Sequence, residues 1–132
     1  MAGLKVIELN ESKAVVSVKH KWLNQNPFGS LYFAALSMAG EMSTGLLGFG
    51  QISKRKPGIS MLVVKLEAEF YKKAIGKIVF TCNDGNSIKN TIDDAIATGE
   101  GQTIQCISTG TNEMNEIVAV FKITWSFKAK KL

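Results

Sequence analysis

The sequence predicts an α+β domain in which one curved antiparallel β-sheet wraps around a single long apolar helix. Several segments alternate apolar and polar residues with the two-residue period of half-buried strands. Between the second and third of these segments, apolar residues recur at three- and four-residue steps, and the remaining positions are also apolar or small. A sheet folded around that helix buries both patterns, so we expect residues 1–132 to form one domain.

The first strands form a predicted hairpin. Leu4–Leu9 and Val15–Lys21 are separated by a short polar turn, and the second segment alternates between apolar and polar side chains. The long helix follows a dense turn signal and is predicted over residues 30–47, with Ser30 as its N-cap. We expect its end at three closely spaced glycines, and then an exposed basic loop: Gly45, Gly48 and Gly50, followed by Lys54-Arg55-Lys56-Pro57-Gly58.

The C-terminal half adds four predicted strands and a small helix. A strand is expected over Ser60–Tyr71, with one face formed by Leu62, Val64, Leu66, Ala68 and Phe70. Further strands are expected over Lys77–Cys82, Thr103–Ser108 and Ile117–Lys128, and the last of these has the clearest alternation in the chain. Ser87–Thr98 repeats isoleucine every four residues and precedes Gly99, which predicts a short amphipathic helix with a glycine C-cap.

Composition and charge exclude several classes of protein. The net charge of +5 is spread along the chain, which does not favour a dedicated nucleic-acid face. Cys82 and Cys106 lie in predicted strands without metal-ligand spacing, so we expect reduced core thiols and no metal. The N-terminus has no signal-peptide pattern, and the apolar run at 28–52 contains five glycines and a glutamate. We therefore expect a cytoplasmic protein without a membrane span or a membrane partner.

Glu41 is the residue that most needs an explanation. From Trp22 to Ser53 the chain runs for 32 residues with this single charged side chain, in the middle of the predicted enclosed helix. Burying an unpaired carboxylate costs several kcal/mol by order of magnitude. We therefore expect Glu41 to be hydrogen-bonded, paired with a cation or used in chemistry.

The segment from Asn26 to Glu41 resembles the hotdog-fold acyl-CoA thioesterases, most closely the phenylacetic-acid-degradation type and its uncharacterised relatives. In that family an Asn precedes a His-Gly-Gly turn by six positions, and an Asp or Glu follows the first residue of the turn by nine. The same spacing here joins Asn26, Tyr32 and Glu41. Tyr32-Phe33-Ala34 replaces the His-Gly-Gly turn itself. The segment Pro57-Gly58-Ile59-Ser60 also resembles the family's edge of the acyl pocket.

The resemblance implies a set of roles for these residues. Glu41 would be the general base or nucleophile, Phe33 N–H would polarise the thioester carbonyl, and Asn26 would hold the carboxylate or the water. Ser60 would act from a partner subunit across the interface of a homodimer or homotetramer. Substrate would contact Tyr32 and Ala34, and the phosphates of coenzyme A would lie on a basic rim formed by Lys54, Arg55 and Lys56. No cofactor is implied.

Each of these residues also has a structural explanation. Glu41 can be salt-bridged to a lysine of a partner subunit or capped by backbone N–H groups, and Asn26 before a proline can be a turn residue. Tyr32 can form a pocket wall, and Ser60 can be an ordinary hydroxyl at the start of a strand. The basic run at 54–56 can be a solvated loop. His20, on the apolar face of its strand, is expected to be a hydrogen-bonded core residue.

Four functions are therefore compared. The leading hypothesis is an acyl-CoA thioesterase that uses Glu41, and the alternative is a non-catalytic hotdog domain that binds an acyl group or acyl-CoA. A dehydratase ranks lower, because that chemistry in the family relies on a histidine beside the carboxylate, and His20 lies outside the matching turn. A small basic nucleic-acid binder is a fourth hypothesis, from another class. It would need exposed aromatic residues interleaved with Lys or Arg on one sheet face, whereas Phe121, Trp125 and Phe127 alternate as a core face.

Overall fold

The computed structural model of the chain describes residues 3–19, 33–55 and 58–130. In these ranges it contains six strands and two helices: β1 (Leu4–Leu9), β2 (Ala14–Lys19), α1 (Phe33–Ile52), β3 (Ile59–Phe70), β4 (Lys77–Cys82), α2 (Gly85–Thr98), β5 (Gln102–Thr111) and β6 (Ile117–Ala129). The strands form one antiparallel sheet in the order β1-β2-β4-β5-β6-β3, curved around α1. The α+β class and the hotdog arrangement are confirmed.

The core lies between the concave side of the sheet and α1. The alternation of β6 places Phe121, Ile123, Trp125 and Phe127 in this core, as the sequence predicts. Phe121 packs edge-on against Phe80 of β4, with ring centroids 5.6 Å apart. These aromatic side chains join the middle of the sheet to the helix.

The helix α1 continues beyond its predicted end. It runs through Gly45 and Gly48 to Ile52, because tertiary contacts need a glycine there rather than a helix break. A Cβ atom at Gly48 would lie 3.0 Å from Met61 Cε and 3.1 Å from Phe127 Cζ. Glycine therefore lets this half of α1 approach β3 and β6 closely, and the prediction of a helix end at these glycines is wrong.

One face of α1 is open, so the prediction of a helix enclosed on all sides is wrong for the single chain. Met38 is 51% exposed and Phe49 is 61% exposed, although both are large apolar side chains. The sheet covers only the opposite side of the helix, where Leu36, Ala39 and Leu47 are buried. No element within the described ranges covers this apolar face of α1.

The predicted inward face of β3 is also wrong in its first half. A register shift between Val63 and Lys65 in the pairing with β6 leaves Val64 as an extra residue. Before this bulge, Ile59, Met61 and Val63 point toward the helix, and the alternate side chains point away from it. Leu62 is 66% exposed and Val64 is 52% exposed, on a strand that forms one edge of the sheet.

The helix α2 confirms the predicted small amphipathic helix. It buries Ile88 and Ile92, and Gly99 ends it in a left-handed conformation with φ of 73°. Asp84, just before the helix, accepts a hydrogen bond from Ile107 N–H of β5 at 2.8 Å. Cys82 and Cys106 are buried free thiols, as expected. None of the described helices is long and apolar enough to span a lipid bilayer.

Candidate functional site

A cavity of about 400 Å³ lies on the open face of α1, and Glu41 forms part of its wall. Glu41 is the only charged side chain among the described residues that line it. The rest of this lining is apolar and comes from four elements, α1, β1, β3 and β6: Leu4, Met38, Met42, Gly45, Leu46, Phe49, Met61 and Trp125. A cavity of this size and polarity is typical of small-molecule sites.

Helical spacing brings these side chains together. Met38, Glu41, Gly45 and Phe49 follow one another at three- and four-residue steps, so they lie on the same side of α1. A Cβ atom at Gly45 would lie 3.3 Å from Trp125 Cζ2. The glycine therefore lets the indole ring of Trp125 lie against the helix backbone, where it forms one wall of the cavity.

Glu41 itself is exposed in the single chain. Its carboxylate makes no hydrogen bond or ion pair within the part of the chain that the structure describes. The prediction that the carboxylate is buried in an enclosed helix is therefore wrong, because Glu41 lies on the face of α1 that the sheet leaves open. The cost of burying its charge is avoided in the single chain, and the carboxylate is available to a ligand or to a partner subunit.

A hydrogen-bonded chain fixes the Trp125 wall relative to Glu41. Trp125 Nε1–H donates to Thr44 Oγ1 at 2.9 Å, and Thr44 Oγ1 in turn donates to the Glu41 carbonyl oxygen at 2.9 Å. Thr44 is fully buried and Trp125 is 8% exposed. The alternation of β6 predicts Trp125 only as a core residue. The signal that could have marked it as a cavity wall is the glycine at 45, opposite a large aromatic residue.

A second buried contact anchors the same part of α1 to β5. Ser43 Oγ donates to the Gly40 carbonyl oxygen at 2.8 Å and lies 2.6 Å from Ser108 Oγ. Since the single hydroxyl proton of Ser43 is used for Gly40, Ser108 donates in the second bond. Ser37 Oγ, one turn before Glu41, is buried without a hydrogen-bond partner in the described ranges.

The structure separates two of the predicted site residues within one chain. Phe33 is the first described residue of α1, and its ring packs against Phe70 with centroids 5.3 Å apart. Ser60 lies at the other end of β3, ten residues from Phe70, or about 33 Å along an extended strand. Ser60 Oγ donates to the Lys128 carbonyl oxygen at 3.3 Å. Ala34 is exposed and lies on the same side of α1 as Glu41.

The predicted basic rim is partly neutralised. Lys54 Nζ lies 3.3 Å from Glu11 Oε1, and both side chains are mostly exposed. Arg55 forms a salt bridge with Asp93 of α2, and its guanidinium holds the pKa of the Asp93 carboxyl below its usual value. The remaining predicted residues lie outside the described residues: Asn26, Tyr32, Lys56 and His20.

Comparison with solved structures identifies similar folds. A Pseudomonas aeruginosa protein of unknown function, described as a probable thioesterase, is 22% identical, with a TM-score of 0.86 over 98% of this chain and 85% of its own. A Chlorobaculum tepidum protein of unknown function is 13% identical, with a TM-score of 0.83 over 98% and 84%.

A Staphylococcus aureus thioesterase in which a glutamine is changed to alanine is 16% identical, with a TM-score of 0.70 over 96% of this chain and 94% of its own. The same protein was also solved with a glutamate changed to alanine, fifteen positions after that glutamine. At these identities the likeness establishes the fold alone.

Sequence comparison gives the family. No curated protein sequence matches the chain. One family profile matches residues 2–127, which is nearly the whole sequence. This chain therefore belongs to the DUF4442 family, a domain of unknown function.

Proposed function

We propose that the protein hydrolyses an acyl thioester, with acyl-CoA as the substrate class and Glu41 as the catalytic carboxylate. The observation that carries this proposal is the placement of Glu41 as the only charged side chain among the described residues around an apolar cavity of about 400 Å³. An apolar cavity suits an acyl group, and one carboxylate at its wall suits a group that acts at the reactive end of that acyl chain.

Hydrolysis requires a base for water and donors for the oxyanion that develops on the carbonyl group. In the proposed reaction, Glu41 takes a proton from water and the water oxygen forms a bond to the thioester carbon. The C–S bond then breaks, and Glu41 returns the proton to the leaving sulfur, so that a thiol and a carboxylic acid are released. Phe33 N–H would stabilise the oxyanion, because N–H groups at a helix N-terminus carry partial positive charge. Phe33 and Glu41 are eight residues apart, or about 12 Å along the axis, which leaves room for the carbonyl group and a water.

Ser37 strengthens this arrangement. It lies four residues from both Phe33 and Glu41, and its buried hydroxyl has no partner among the described residues. A buried hydroxyl without a hydrogen bond costs free energy, so a polar ligand atom within reach of Ser37 Oγ would remove that cost. We infer that Ser37 Oγ donates to the bound water or to the carbonyl oxygen of the substrate.

The spacing of Asn26 and Glu41 supports a role for both residues. They are fifteen positions apart, which is the spacing of the glutamine and glutamate changed to alanine in the Staphylococcus aureus thioesterase. In the proposal Asn26 orients the carboxylate or the water, and Tyr32 and Ala34 contact the substrate. The phosphate rim at Lys54, Arg55 and Lys56 stays a prediction, since carboxylates already pair with the first two.

We also propose that two copies pair through the β3 edge, and that such pairs can assemble into a tetramer. The edge carries exposed Leu62, Val64 and Leu66, and the open face of α1 adds exposed Met38 and Phe49. Large exposed apolar areas of this kind mark interaction surfaces. Pairing would cover the cavity and bring Ser60 of the partner toward the site, so that Glu41 would be shielded from bulk solvent while one water is kept for hydrolysis.

A non-catalytic acyl-CoA-binding domain is the second candidate. The favouring observation is Phe33, where the related enzymes have glycine. Its ring packs on Phe70 beside the candidate oxyanion donor. Bulk at that position hinders the approach of a carbonyl group to the backbone.

One experiment separates the two candidates. Thiol release is measured for acyl-CoA esters of graded length with wild type, Glu41→Gln and Glu100→Gln, the last being an exposed carboxylate in the turn after α2. If the protein is a thioesterase that uses Glu41, the rate of thiol release should fall at least a hundredfold in Glu41→Gln and be unchanged in Glu100→Gln. Stabilisation of all three proteins by acyl-CoA without thiol release would favour the binding domain instead.

A further inference from the structure

A second depression lies next to the Glu41 cavity, toward the C-terminal end of α1. We call it the β1–α1 groove. Its volume is about 260 Å³, and the described residues that line it are Leu9, Asn10, Glu11, Leu46, Leu47, Gly50, Gln51, Ser53 and Lys54. Leu46 lines both this groove and the Glu41 cavity, so the two are adjacent across one side chain.

An irregularity in β1 makes the groove apolar on its strand side. Leu4 and Leu9 both line the cavities, although residues five apart point to opposite faces of a regular strand. A register shift between Val6 and Glu8 in the pairing with β2 accounts for this. Without the shift, Glu8 would point toward α1 in place of Leu9. Glu8 instead pairs with Lys13 at 3.8 Å on the outside.

Gly50 keeps the helix side of the groove open. A Cβ atom at Gly50 would meet no atom within 4 Å, whereas one at Gly48 would contact β3 and β6. Glycine inside a helix lowers stability relative to alanine, so a glycine without a packing contact needs another reason. The space that Gly50 leaves open lies in the groove and is suited to a ligand.

We propose, on the basis of the thioesterase function proposed above, that the distal part of a long unbranched acyl chain lies in the β1–α1 groove. Glu41 and Gly50 are nine residues apart in α1, or about 13 Å along the axis. An extended chain advances about 1.2 Å per bond, so a chain of roughly ten carbons reaches Gly50 from the carboxylate. Acyl groups of about ten carbons or more therefore reach the groove, and shorter ones do not.

The chemistry of the groove favours an acyl tail over two other occupants. Its middle is aliphatic, with Leu9, Leu46 and Leu47, which is a poor match for the amides of a carrier arm. At its far end Lys54 is paired with Glu11, so this ion pair offers little net charge to a phosphate. A segment of a second copy would have to fit beside Leu46, the side chain that lines both the groove and the Glu41 cavity.

The test compares chain-length profiles of thiol release for wild type, Gly50→Met and Gly101→Met. Gly101 is an exposed glycine before β5 and serves as the matched control. We expect Gly50→Met to leave esters of four to eight carbons unchanged and to lower kcat/KM for esters of twelve to sixteen carbons at least tenfold. Each excluded methylene accounts for roughly a fourfold loss. Gly101→Met is expected to keep the wild-type profile.

Three outcomes overturn the proposal. The first is an equal loss at every chain length. The second is a loss that appears with coenzyme A esters but not with pantetheine esters of the same acyl group, which would place the carrier arm in the groove. The third is a changed oligomeric state in size-exclusion chromatography, which would place a second copy there.

A parallel binding measurement keeps the proposal separate from the proposed reaction. Wild type, Gly50→Met and Gly101→Met are titrated with non-hydrolysable thioether analogues of acyl-CoA with eight and sixteen carbons. A selective loss of the sixteen-carbon analogue in Gly50→Met supports the groove even if no ester is hydrolysed. Equal affinity of wild type and Gly50→Met for the longer analogue refutes the groove, whether or not the protein is an enzyme.

Discussion

Replacing Thr44 with valine tests the hydrogen-bonded chain that holds the Trp125 wall. Valine has nearly the same shape and a similar helix propensity, so packing changes little. The change leaves the Trp125 Nε1–H, at a residue only 8% exposed, without its acceptor. An unsatisfied buried donor costs about 1–3 kcal/mol, so we expect the free energy of unfolding to fall by about 2 kcal/mol.

Two further variants isolate the free-energy cost of the unsatisfied Trp125 Nε1–H. In a Trp125→Phe background no indole N–H remains, and Thr44→Val should cost only about 0.5 kcal/mol, which gives a coupling energy of about 1.5 kcal/mol. Thr91→Val is the matched control, because Thr91 Oγ1 donates to the Ser87 carbonyl oxygen at 2.8 Å without a third partner. Its expected cost is within about 0.5 kcal/mol of zero.

Urea unfolding followed by far-ultraviolet circular dichroism measures all these variants, since the signal does not depend on tryptophan. Thiol release from a medium-chain acyl-CoA provides a second measurement, in which Thr44→Val should raise KM by loosening one wall of the cavity. A cost for Thr44→Val no greater than that for Thr91→Val, or a coupling energy near zero, would refute the reasoning.

The other predictions concern five single sites. Gly48→Ala should lower the free energy of unfolding by about 1–3 kcal/mol, because the added methyl group overpacks against β3 and β6. Gly50→Ala should raise the free energy of unfolding by about 0.5–1 kcal/mol, because alanine is the better helix former and its methyl group meets no other atom. Urea unfolding measures both variants. The salt bridge with Arg55 lowers the pKa of Asp93, so it stabilises the fold above the ordinary aspartate pKa of about 4 and is lost as the pH falls through the lowered folded pKa. Asp93→Asn should therefore lower the free energy of unfolding at pH 7 and have less effect below pH 4, where unfolding of both proteins is compared. Burial raises the pKa of the Cys82 thiol to about 12, so a thiol reagent at pH 8 should label it only as fast as the protein unfolds. Ser37→Ala should lower kcat about tenfold or more with little change in KM, and an unchanged kcat would remove Ser37 from the proposed mechanism.

Most of the fold follows from local periodicity. The β1–β2 hairpin, the small helix with its glycine cap and the inward face of β6 depend on neighbouring residues, and the sequence predicts each of them. The inward face of β3 does not follow, because the bulge at Val64 arises from pairing with β6 and reverses the alternation before it. The end of α1 does not follow either, since the contact between Gly48 and Phe127 joins residues far apart in the sequence.

The sequence predicts part of the candidate site. Glu41 stands out from sequence because it is the one charge in a long apolar run, and the structure places it in the wall of an apolar cavity on α1. Its exposure could not be predicted, because periodicity indicates which side chains are apolar but not which side the sheet leaves open. The wall formed by Trp125 and the groove beside Gly50 depend on distances between elements that no local pattern contains.

The exposed edge strand β3 has a consequence for how this chain behaves when it is dilute or newly made. Its second half carries Lys65, Glu67 and Glu69, which discourage the addition of foreign strands. Its first half, from Ile59 to Val64, has no charge, and its unpaired amides are flanked by protruding aliphatic groups. Aggregation into fibres or amorphous deposits should therefore begin at the uncharged half of β3 whenever no partner subunit covers it.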